Sequence, residues 1–153
     1  MAQSKKAPVR LELILIVAIV AVSAILISVG LNKSHTLPFS EAQATRPEEV
    51  ITGYLLAGKP VLIMFTSYSG SCVACRQMDE VVRQVYPDFK DTVPLVYVDT
   101  DNKSNSHLFD LFGVVLPPVQ VFLSAGGTAK ETVFGYMLPS EFRANLEAIA
   151  REQ

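Results

Sequence analysis

An α/β domain is predicted: a mixed sheet covered by helices on both faces and preceded by one N-terminal transmembrane helix. Three observations predict it. Residues 13–31 run for 19 positions without a charge, meeting the ~18 apolar residues that read as a membrane span. From residue 46 onward, helical hydrophobic spacing alternates with short β-branched runs, the pattern of layered α/β folds. Near the end, two such runs flank Ala125-Gly126-Gly127, a turn that brings the chain back antiparallel.

The 153 residues leave room for one compact domain beside that span. Residues 1–10 read as a cytoplasmic N-terminus, 11–31 as a transmembrane anchor or uncleaved signal, 32–47 as a linker, and 48–153 as the domain. A cleaved signal peptide is the rival reading of the apolar run. Lys5, Lys6 and Arg10 would supply its basic start and Ser28-Val29-Gly30 a weak cleavage site, but the run exceeds the ~7–15 apolar residues usual there. Under either reading the domain is exported. Three basic residues precede the span, whereas Lys33 and Arg46 are the only ones between it and the domain. The positive-inside rule therefore keeps the N-terminus in the cytoplasm. From residue 48 onward 13 acidic side chains outnumber 8 basic ones. No basic patch interleaves with aromatics, so no nucleic-acid partner is expected.

The elements follow in order. Residues 32–47 mix polar residues and proline, as a tether does. Thr45 and Glu48 stand as in a capping box, with Pro47 in the first turn. The helix they open, over about 46–57, buries Val50, Ile51, Tyr54 and Leu55 and stops at Gly58. Residues 61–65 form a buried central strand between Pro60 and a Ser/Gly-rich stretch. A second helix begins near Cys72 and carries Met78, Val81, Val82 and Val85 to its end before Pro87. Residues 93–98 form the next strand, with Pro94 near its beginning. Ser104 or Asn105 caps a helix that runs through Phe112 and ends at Gly113. Strands at 119–123 and 132–134 make the hairpin. Pro139 or Ser140 opens a last helix with Phe142, Leu146 and Ile149 on one face.

The chemistry is carried by Cys72-Val73-Ala74-Cys75, which holds both cysteines of the chain. In the first helical turn, positions i and i+3 share a face, close enough for a disulfide. Unpaired N–H groups and the positive end of the helix dipole favour a thiolate at Cys72, with Cys75 placed to resolve a mixed disulfide. Three other uses of the pair compete. A four-ligand zinc site needs two more ligands, and the only histidines are His35 in the tether and His107 in a distant helix. Haem attachment would want histidine where Arg76 stands. A structural disulfide suits an exported domain, but so small a loop removes little unfolded-state entropy. No metal or cofactor is expected. Asp79 and Glu80 read as a solvated helix face, and His107 as an exposed one. Tyr68 reads either as part of the active-site rim or as loop packing, and Arg76 either as a thiolate-favouring charge or as an inert exposed side chain.

Pro117-Pro118, just before the strand at 119–123, is the second feature. With the Cys pair and the element order, it makes the chain resemble the thioredoxin superfamily. The resemblance implies that Pro118 is a cis-proline beside the redox pair, and that Pro118, Pro117, Val73 and Ala74 contact the bound substrate. Cys-Val-Ala-Cys followed by Arg76-Gln77-Met78-Asp79-Glu80, with Phe134-Gly135-Tyr136-Met137 and Ser140-Glu141-Phe142 later, is similar to the C-terminal thioredoxin-like domain of DsbD-type thiol:disulfide interchange proteins. That likeness covers about 48–150. It implies a thiol reductase or electron relay of the bacterial inner membrane, facing the periplasm or cell exterior, with Cys72 and Cys75 catalytic. Its partners would be protein thiols and disulfides and a DsbD-like transmembrane electron donor. The chain departs from the family pattern where Ser71 replaces a tryptophan and Thr66 or Met64 stands where a buried aspartate is common. The proton acceptor for Cys75 is thereby left unassigned. The rival function is a non-catalytic docking module for cytochrome maturation or metal delivery.

Overall fold

The computed structural model describes residues 46–152. The expected N-terminus and span, Thr45 and nearly all of the linker lie outside these residues. Among those described, no helix is long and apolar enough to cross a membrane.

The chain forms α1 (Pro47–Leu56), β1 (Val61–Thr66), α2 (Val73–Val85), β2 (Leu95–Asp99), α3 (Ser106–Phe112), β3 (Val119–Leu123), β4 (Ala129–Phe134) and α4 (Pro139–Ala150). The strands lie in the order β2-β1-β3-β4. β1 runs parallel to β2 and antiparallel to β3, and β4 closes the sheet antiparallel to β3. This is the mixed sheet the sequence predicts.

Strand alternation divides the core into two layers. Leu62 and Met64 of β1, Tyr97 of β2 and Phe122 of β3 face α2 and α4, meeting Met78, Val82, Phe142 and Leu146. Ile63, Phe65, Val96, Val98, Val119 and Val121 face the other way, toward Ile51 of α1 and Leu108 of α3. β1 is buried along its whole length because helices cover both faces, which is why it reads as an uninterrupted apolar run. Its C-terminal end delivers the chain to the loop before Cys72.

Three local readings need correction, and a fourth lies partly outside the described residues. Arg46 is the N-cap residue of α1 and makes no side-chain cap bond; the capping box expected from Thr45 falls outside the described residues. β2 begins at Leu95 rather than 93: Pro94 lacks an N–H, but its carbonyl still accepts from Leu62 N–H at 2.9 Å. Val93, off the strand, is fully buried. A 3-10 turn over Lys103–Asn105 precedes α3, and it is the Asn102 side chain that caps it, accepting from Ser104 N–H at 3.0 Å. Asn105 is the N-cap residue of α3, as expected, but its side chain turns inward and donates to the Asp99 carbonyl at 2.9 Å instead of capping. β4 is six residues long, not three; its first half is polar and exposed on the sheet edge, so it carries no buried-strand signal.

Candidate functional site

The site is assembled where β1 ends and α2 begins. Cys72 is the N-cap residue of α2, with extended backbone, and its Sγ accepts a hydrogen bond from Cys75 N–H at 3.1 Å. Cys72 and Cys75 are joined by a disulfide with Cα atoms 5.3 Å apart. Their exposures differ: Cys75 is 2% exposed, while Cys72 is half-buried and lines an open groove. The first turn of α2 holds no acidic residue. The helix N-terminus and the Cys75 N–H therefore favour negative charge on the Cys72 sulfur once the bond is reduced.

Of the predicted substrate contacts, Val73 is 58% exposed beside the pair, and Ala74 is half-buried behind it. The Pro117–Pro118 peptide bond is cis. Pro118 is buried, and its carbonyl is taken by Gly135 N–H at 2.7 Å. Pro117 is the residue that faces the pair: its carbonyl oxygen lies 3.9 Å from Cys72 Sγ. A disulfide sulfur has no proton to donate, so this contact becomes an S–H···O bond only in the dithiol form.

The loop over 67–71 is held by a residue that the sequence reading passed over. The Asp101 carboxylate, just past β2, accepts from Ser67 Oγ at 2.9 and 3.1 Å, from Tyr68 N–H at 2.9 Å and from Ser69 N–H at 3.0 Å. Serine hydroxyls continue the network toward the pair, Ser67 to Ser69 at 2.8 Å and Ser69 to Ser71 at 2.9 Å. The only sequence signal is the serine at every second loop position. Their acceptor lies more than thirty residues away, beyond any local motif.

Beneath the pair, Thr66 and Gln120 are buried on the α2 side of the sheet. Gln120 donates to the Gly135 carbonyl at 3.3 Å, while its Oε1 is buried without a partner among the described residues. Asp79 departs from expectation. One turn beyond Cys75 and on the same helix face, it is half-buried, and its Oδ1 has no partner among the described residues. Burial pushes its carboxyl above the usual aspartate range, with Arg83 opposing and Glu80 reinforcing. The Tyr68 hydroxyl is also buried without a partner among the described residues. Burial, with the negative charge of Asp79, pushes both the Tyr68 and the Tyr97 phenols up. Glu80 is the solvated neighbour, paired with Arg83 at 2.9 Å. Arg76 donates to the Gly70 carbonyl, tying the helix to the loop before it. His107 is exposed and lies 3.8 Å from Glu48. Among the described residues no three His, Cys, Asp or Glu side chains converge as metal ligands.

Comparison with known proteins agrees with this geometry. The model of the thioredoxin-like domain family matches residues 48–150. The thioredoxin-like protein HCF164, chloroplastic, of Oryza sativa subsp. japonica is 30% identical over 138 residues, covering 86% of this chain and 50% of the relative. Its Arabidopsis thaliana counterpart is 28% identical over 134 residues, covering 88% and 49%. The chain thus spans about half the length of the curated relatives it matches. Among solved structures, a thioredoxin-like protein from Clostridium perfringens superposes with a TM-score of 0.55 at 22% identity, covering 62% of this chain and 75% of that one. The thioredoxin Mala s 13 of Malassezia sympodialis does so with 0.51 at 26%, covering 61% and 76%. A disulfide-forming Cys-x-x-Cys pair at the tip of α2, a mixed sheet between two helical layers and a family match across the whole domain lead to one conclusion: this chain belongs to the thioredoxin-like family.

Proposed function

We propose that the chain is a thiol-disulfide oxidoreductase of the reductase or electron-relay type, acting on protein disulfides. The observation that carries this reading is the asymmetry of the pair: one sulfur at the helix tip facing a groove, the other sealed beneath it. In the dithiol form the Cys72 thiolate attacks a client disulfide, forming a mixed disulfide and releasing the client's other sulfur as a thiolate that takes up a proton. Cys75 loses its proton and attacks Cys72 Sγ. The client leaves as a dithiol, and the Cys72–Cys75 disulfide remains. Two electrons pass from the pair to the client, whose two sulfurs take up one proton from solvent and the equivalent of the one that Cys75 releases. Asp79 takes the Cys75 proton: it lies one helical turn away, half-buried, with an oxygen free of other partners among the described residues. This assigns the acceptor that Thr66 cannot supply.

The likeness of Cys72-Val73-Ala74-Cys75 and its flanks to the DsbD C-terminal domain supports the reducing direction. It also supports a setting at the bacterial inner membrane, anchored through 11–31, with the domain facing the periplasm or cell exterior. A DsbD-like transmembrane dithiol would then restore the reduced form. The test is Cys75→Ser in the full-length chain, expressed in cell membranes. Mixed disulfides that form through Cys72 and dissolve in dithiothreitol are expected. No trapped partner, together with no disulfide reduction by the wild type, would leave only the docking-module reading.

A further inference from the structure

The serine ladder has a direction. A hydroxyl owns one proton, and that of Ser67 is committed to Asp101, because a carboxylate can only accept. In the 2.8 Å contact with Ser67, Ser69 must therefore be the donor, and in the 2.9 Å contact with Ser69 the donor must be Ser71. Every hydroxyl proton points toward Asp101. What the ladder presents beside Cys72 is the Ser71 oxygen with its lone pairs free to accept.

The proline step beside the sulfur is equally one-sided. Pro117 and Pro118 have no N–H, so a segment lying there can only donate, and the Pro117 carbonyl beside Cys72 is the acceptor on offer. The groove they border is lined by the polar Ser67, Ser69, Ser71 and Thr100 and by the apolar Phe109, Val114, Val115 and Leu116. Val115 and Leu116 are 86% and 74% exposed. Asp101 is the one charged side chain among the described residues that line it. Arg76, the nearest cation in sequence, is not part of the lining and is tied back to Gly70.

Apolar side chains, hydroxyl oxygens turned to accept and a single negative charge, gathered in one groove beside Cys72, fit one kind of client. We infer that the groove selects disulfide-bearing polypeptide segments in which a lysine or arginine flanks the cysteine attacked by Cys72, with Asp101 and the serine ladder as the specificity element. The inference rests on the redox reading above and names its substrate class. The cation's N–H groups meet the ladder and the field of Asp101, while its methylenes lie on Val115 and Leu116.

The test uses the reduced full-length chain and small cyclic disulfide peptides with Lys, Gln or Glu next to one cysteine. The readout is the second-order rate at which each peptide is reduced to its dithiol as the Cys72–Cys75 disulfide forms. The expected order is Lys, Gln, Glu, with a Lys:Glu ratio of about threefold to tenfold at low salt, as for exposed ion pairs. Screening shrinks it to under about twofold near 0.5 M salt. Asp101→Asn collapses the low-salt ratio, Asp101→Glu restores most of it, and Glu131→Gln on the far edge strand leaves it intact. The ratio is read rather than the rate, so a general loss of activity does not mimic the result. Equal rates for the three peptides in the wild type, or a ratio that survives Asp101→Asn, overturns the inference while the redox reading stands. If no peptide is reduced, the redox reading falls and takes this inference with it.

Discussion

Replacing Asp79 by asparagine is expected to stabilise the fold at neutral and alkaline pH and to leave it nearly unchanged in acid. One oxygen of this carboxylate is buried without a partner among the described residues. Burial holds this carboxyl above the usual aspartate range, with Arg83 opposing and Glu80 reinforcing. The folded protein therefore keeps a proton that the unfolded chain has already released. Where the folded state binds more protons, stability falls as pH rises; here it falls from near the ordinary aspartate pKa through the raised one, then levels off. Asparagine keeps a polar atom in the same place and removes only the charge, so what is relieved is the burial cost of the ionised form. The carboxyl is only partly buried, and solvent screening leaves about 1 kcal/mol of that cost. For a domain of this size that is a rise of about 4 °C in Tm. The assay is thermal unfolding of the oxidised full-length chain by circular dichroism, wild type against Asp79→Asn, from acid to mildly alkaline buffer. A gain that appears only above the acid range supports the assignment. A variant no more stable than wild type in alkaline buffer, or one whose gain is the same in acid, refutes it. The same variant slows Cys75's release of a client from the Cys72 mixed disulfide by about tenfold or more if Asp79 is the proton acceptor.

Three stability changes follow from the packing. Phe142 is fully buried and meets Phe122 edge-on with centroids 5.9 Å apart; Phe142→Ala should cost about 3–5 kcal/mol in urea unfolding. Gly113 ends α3 at φ 66°, and a Cβ there would touch nothing within 4 Å. Gly113→Ala therefore isolates the left-handed backbone penalty, about 1–2 kcal/mol by the same measurement. The Tyr86 hydroxyl donates to the Val93 carbonyl at 2.9 Å inside the core. Tyr86→Phe leaves that carbonyl unpaired and should lower stability by about 1–3 kcal/mol, read as a shift in the urea midpoint.

Most of the fold was legible because each element buries a stripe or face with its own period. The stripe through Met78, Val81, Val82 and Val85 marks α2, and all four are buried. Val119–Leu123 was readable to the residue because helices cover it on both faces. β4 was half missed for the opposite reason: an edge strand with Lys130 and Glu131 exposed has no burial pattern to read. Asn105 does stand at the N-cap position of α3, but its side chain bonds across the turn instead of capping, a choice that residue type alone does not reveal. Within the site, the cysteine pair and the Pro117–Pro118 step were found, whereas Asp101 and the environment of Asp79 were not.

The sequence by itself determined that the two sulfurs meet, because i and i+3 at a helix start are near neighbours through backbone geometry alone. It likewise determined the order of elements and the face that each one buries. Only the tertiary structure decided what surrounds those sulfurs: the Pro117 carbonyl 45 residues from Cys72, and the Asp101 carboxylate 34 residues from Ser67. It also decided that Asp79 is half-buried rather than solvated. Local geometry depends on bonded neighbours and is written along the chain. Burial and hydrogen bonding between distant segments depend on which elements the sheet brings together, and no window of sequence contains that.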